Sequence, residues 1–127
     1  MNNNRPLSPH LSIHKKVLTA IFSIFHRITG IGLSLGSILI SIWIAFIALG
    51  EEYFSIFQTI LSSLFITLVL ILWTIGIFYH LFNGIRYLFW SFGYGLELKI
   101  VNNTSYFVVI LTALATIIVW VVILVYV

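Results

Sequence analysis

Three stretches of this chain run without a charged side chain, at residues 28–50, 53–85 and 100–127. Each is long enough to cross the hydrocarbon core of a bilayer, which takes about 20 apolar residues as a helix. The rest of the chain cannot offset them. Hydrophobic residues make up 61% and charged residues 7%, against about 25% charged in a soluble domain. Lipid is therefore the solvent this chain is built for. The expected fold is all-α: three transmembrane helices at about residues 28–50, 60–85 and 103–126, forming a single membrane-anchor domain over residues 1–127 with no linker, internal repeat or low-complexity segment. The second run exceeds what a span needs, so it tilts or begins as an interfacial segment near Tyr53 to Thr59.

Charge placement sets the expected topology. Arg5, Lys15, Lys16 and Arg27 precede the first run, Glu51 and Glu52 follow it, and Arg86 and Lys99 follow the second. By the positive-inside rule, the N-terminus and the second loop face the cytoplasm or an organelle matrix, and Glu51 and Glu52 face away. Trp90, Phe92 and Tyr94 read as an aromatic belt at the inner interface. Pro6 and Pro9 keep a surface arm extended, and "KKVLTAIFSIFHR" reads as an interfacial helical start that runs into the first span. No apolar signal segment stands in the first twelve residues, as expected of a bacterial, organelle-encoded or processed chain. The absence of cysteine excludes disulfides, thiol chemistry and iron–sulfur ligation by this chain.

Two clusters carry possible chemistry. His80 lies within the second run, and ionisable groups inside a span tend to mark function. Gly76 and Gly84 stand at i−4 and i+4, on its face of the helix, and would leave a flat slot fit for the edge of a macrocycle. Histidine is a usual axial ligand of haem iron. The alternative is an imidazole bonded to a backbone carbonyl across a helix interface. The second cluster is "SIFHR", where Ser23, His26 and Arg27 fall at i, i+3 and i+4 and share a helix face. Such a set can bind a carboxylate, a phosphate or a carbonyl oxygen, or it can simply touch lipid headgroups. In the first span, Gly30, Ser34, Ser37 and Ser41, and separately Gly32 and Gly36, allow close helix approach, within the chain or to a partner.

The segments "RPLSPHLSIHK", "SIFHRITG" and "HLFNGIRYLFW" resemble, in order and spacing, the cytochrome b membrane anchors of succinate dehydrogenase, respiratory complex II. The resemblance covers nearly the whole chain, although the first loop and last helix match only in hydropathy. It implies a partnership with a flavoprotein subunit, an iron–sulfur subunit and a second small membrane-anchor subunit, in a lipid bilayer and without nucleic acid. The location implied is a mitochondrial inner membrane or a bacterial cytoplasmic membrane. It also implies a haem b shared with the second anchor, and ubiquinone as substrate. Carried over by motif, His80 is an axial haem ligand, Ser23 and Arg27 contribute to the quinone site, and His26 and Arg27 neighbour the haem propionates. The chain departs from the family at Tyr87, often histidine, at Ser91, often aspartate, and at His14, often tyrosine. With one histidine deep in a span, the second ligand of a bis-imidazole haem has to come from another chain. An anchor of a quinol:fumarate reductase and a haem-free structural anchor are the rival readings.

Overall fold

A computed structural model describes residues 18–126. Arg5, Pro6, Pro9, His14, Lys15, Lys16 and the expected start of the interfacial helix lie outside these residues. The architecture is all-α: α1 Leu18–Leu49, α2 Glu51–Leu61, α3 Leu64–Ser91 and α4 Leu98–Tyr126. α1, α3 and α4 are each long and apolar enough to cross a membrane. α3 is the central helix and packs against both α1 and α4, which touch each other less.

The breaks between helices have local causes. Gly50 takes φ 109°, a conformation that only glycine enters at little cost, and it separates α1 from α2. α2 then opens with Glu51 and Glu52 in its first turn, where carboxylates complement the helix dipole. It leans back on α1 through a Phe46–Phe57 stack with centroids 4.9 Å apart. The surplus length of the second apolar run is thus spent on a separate short helix over the segment expected to be interfacial. Ser63 caps α3, its Oγ accepting from the Ile66 amide. At the other end of α3, the Tyr94 amide donates to the Phe89 carbonyl and the Gly93 amide to the Trp90 carbonyl. These are the paired bonds that close a helix on a left-handed residue, here Gly93 at φ 81°.

The core inverts the pattern of a soluble protein. Phe22, Val101 and Val108 are its buried apolar side chains, whereas Asn83, Arg86, Ser105, Thr112 and Thr116 are buried polar ones. Most large apolar residues face outward, as lipid permits. Ser105, Thr112 and Thr116 each donate their hydroxyl to the carbonyl one turn back, so α4 presents small groups with no free donor to α3. Gly36 is buried against α3, where a Cβ would overlap the Trp73 indole. Of the small residues in the first span, Gly30 and Gly36 therefore serve contacts within the chain. Ser34, Ser37 and Ser41 are exposed and bond back to their own helix.

Candidate functional site

The α1–α3 contact brings two histidines face to face. The His26 and His80 rings stack with centroids 3.9 Å apart and planes 9° from parallel. Glycine makes the approach possible from both sides. A Cβ at Gly30 would come within 3.2 Å of His80 Cε1, and one at Gly84 within 3.6 Å of His26 Cε1. Gly76 faces the Thr29 methyl, 3.9 Å from where its Cβ would be.

The open slot expected beside His80 is therefore filled by His26, and Gly84 makes room for that ring rather than for a macrocycle. His26, read from the sequence as a residue of the boundary cluster, reaches the level of His80. Spacing along α3 reveals which residues share a face; it does not reveal what α1 sets against them. An imidazole binds a metal through a lone pair in its ring plane, so a ring stacked on its face leaves that direction clear.

The network around His80 assigns its proton. Nδ1 lies 3.2 Å from the His26 carbonyl oxygen and 3.2 Å from Thr29 Oγ1. A carbonyl only accepts, so Nδ1 carries the hydrogen. The single Thr29 hydroxyl proton is directed to the Phe25 and His26 carbonyls, each 2.9 Å away, which leaves Oγ1 as an acceptor toward His80. Nε2 is then the nitrogen with the free lone pair, and among the described residues it has no hydrogen-bond partner. The carbonyl-bonded imidazole and the metal-ligand imidazole, opposed in the sequence reading, are compatible because they use different nitrogens.

The cluster extends toward the C-terminal end of α3. Tyr87 stands edge-on to His26, centroids 5.0 Å apart, and packs on Trp90 at 5.2 Å. The Arg86 guanidinium lies 4.3 Å from the Trp90 ring centroid and 5.5 Å from that of Phe22. Its Nη1 donates to Asn83 Oδ1 at 3.1 Å. Tyr79 Oη donates to the Phe22 carbonyl at 2.8 Å, tying α3 to the same turn of α1. Ser91 turns its hydroxyl back to the Leu88 carbonyl. Ser23 is half-buried and Arg27 is exposed. The structure thus joins His26 to His80 but does not bring Ser23 or Arg27 to that pair.

Three residues of this site escaped sequence reasoning. Thr29 is one helical turn beyond His26, a spacing that a hydroxyl search around each histidine would have caught. Asn83 is fully buried and Arg86 is 6% exposed. Arg86 entered the sequence reading as a marker of the inner surface. It is also an interior residue of the bundle, because α3 continues to Ser91 and carries it beneath Trp90.

The model of the succinate dehydrogenase/fumarate reductase transmembrane subunit family matches residues 1–119. The chain is 43% identical over 128 aligned residues to the succinate dehydrogenase cytochrome b560 subunit of Reclinomonas americana, covering 96% of this chain and 88% of the relative. It is 38% identical to the cytochrome b556 subunit of Rickettsia felis, covering 94% and 93%. Against the cytochrome b556 subunit of Paracoccus denitrificans it is 39% identical, covering 80% and 78%. With a family model spanning nearly its whole length and relatives this similar, the chain belongs to the succinate dehydrogenase/fumarate reductase transmembrane subunit family.

Proposed function

We propose that this chain is the cytochrome b anchor of a succinate:ubiquinone oxidoreductase, a single membrane-anchor domain in a bacterial cytoplasmic or mitochondrial inner membrane. It holds a haem b jointly with a second small anchor, and the flavoprotein and iron–sulfur subunits dock on its matrix or cytoplasmic side. The observation that carries this reading is the state of His80: Nδ1–H is held by the His26 carbonyl and the Nε2 lone pair is free. That is the donor chemistry an axial ligand needs. Bound there, haem b would supply one-electron storage and transfer.

The roles of this chain's residues follow. His80 would hold the haem iron from this chain, and the second histidine would come from the partner anchor. His26 and Arg27 would neighbour the propionates. Ser23 and Arg27 serve ubiquinone: the serine hydroxyl bonds a quinone oxygen, and the guanidinium steadies the negative charge that develops as electrons arrive. Groups already oriented toward that charge stabilise it without reorganisation.

The test is His80→Ala in the purified complex. The low-spin b-type signal should vanish or turn high-spin, while succinate oxidation with an artificial acceptor continues, because the flavin chemistry lies on another subunit. An unchanged low-spin spectrum would reject His80 as ligand. The fumarate reductase alternative is separated by which direction, succinate oxidation or quinol-driven fumarate reduction, the assembled enzyme favours.

A further inference from the structure

We propose that Thr29 is a positioning residue for the haem ligand, an assignment that rests on the reading of His80 above. Its hydroxyl oxygen lies 3.2 Å from His80 Nδ1, and its own proton is engaged by carbonyls of α1 at 2.9 Å. The hydroxyl is therefore oriented as an acceptor. Together with the His26 carbonyl, also at 3.2 Å, it forms a three-centre bond that fixes the Nδ1–H tautomer and the rotation of the ring.

Both partners sit on α1, whereas the ligand sits on α3. The helix that supplies no axial ligand thus sets the electronic character of the one that does. Accepting the Nδ1 hydrogen pushes electron density toward Nε2. A more donating Nε2 favours the oxidised iron and lowers the reduction potential. Gly30, whose Cβ would press on His80 Cε1 at 3.2 Å, keeps the ring seated against these acceptors.

The experiment compares Thr29→Val with Thr29→Ser in the purified complex, by redox titration of the b-type absorbance and by electron paramagnetic resonance of the oxidised haem. Valine keeps the shape and one methyl but removes the acceptor; serine keeps the hydroxyl. Thr29→Val should raise the midpoint potential and weaken haem retention by about tenfold, the low end of the usual range because the His26 carbonyl remains. Thr29→Ser should restore both. Loss of haem in the valine variant with retention in the serine variant also supports the assignment. An unchanged potential in Thr29→Val, or equal shifts or equal haem loss in both variants, overturns it. His80→Ala in the same preparation separates the two claims: if the low-spin signal persists there, the ligand assignment itself has failed; if it is lost there while Thr29→Val is silent, only Thr29 has.

Discussion

At His80 the two ring nitrogens have different surroundings, one against α1 acceptors and one without a partner among the described residues. Among the described residues Arg27 is exposed, and in the proposed function its guanidinium meets a quinone oxygen. Arg27→Ala should lower ubiquinone reduction by about 10²–10³ while succinate oxidation with an artificial acceptor stays near normal. Arg27→Lys should recover only part, because an ammonium lacks the planar fork. Parallel loss in both assays would instead point to failed assembly. Arg86 contrasts with Arg27. It is stacked between Phe22 and Trp90, contacts that contribute up to about 2 kcal/mol when desolvated. Exchanging it for lysine should lower the thermal stability of the complex, read by the loss of quinone reductase activity on heating.

The helices meet through glycines, and these are not equivalent. Gly30 is tight against His80 and Gly84 is in ordinary contact with His26. Gly30→Ala should therefore displace the His80 ring and lower haem content, whereas Gly84→Ala should leave the visible spectrum close to wild type. Equal spectra for the two variants would show that the α1–α3 spacing adjusts freely. Gly36 is the strictest position, since any Cβ overlaps the Trp73 indole. Gly36→Ala should cost about 1–3 kcal/mol by overpacking. A smaller side chain at Trp73 should recover part of that loss, because contacting sites couple. Thermal melts of the two single variants and the double variant measure the coupling.

For the whole molecule, the crossing of three long helices puts Leu18 and the α3–α4 turn at one end of the bundle and Glu51 at the other. Arg27, Arg86 and Lys99 lie toward the first end, so we expect that end to face the cytoplasm or matrix. The chain has no cysteine, so single cysteines can be placed at Leu96 and Glu51 and probed with an impermeant thiol reagent. Leu96→Cys should react from the inner side and Glu51→Cys from the outer; the reverse pattern would invert the topology. With His80 as the one axial ligand proposed for this chain, the chain without its partner anchor should hold at most a five-coordinate haem. A low-spin bis-imidazole spectrum from the chain alone would place both ligands within it, with His26 as the second candidate.

The number of long helices and their apolar character were legible in the chain. They follow from a local quantity, the length of the uncharged runs. The break at Gly50 and the separate α2 were half legible, as surplus length without a boundary. The pairing of His26 with His80, the proton on Nδ1, the part played by Thr29 and the burial of Arg86 were not legible. Each depends on the rotation of α1 about its axis relative to α3. That rotation is set by which glycines let the two backbones approach and by Trp73 seating on Gly36. A helix's own periodicity defines its faces, but only packing decides which face meets which.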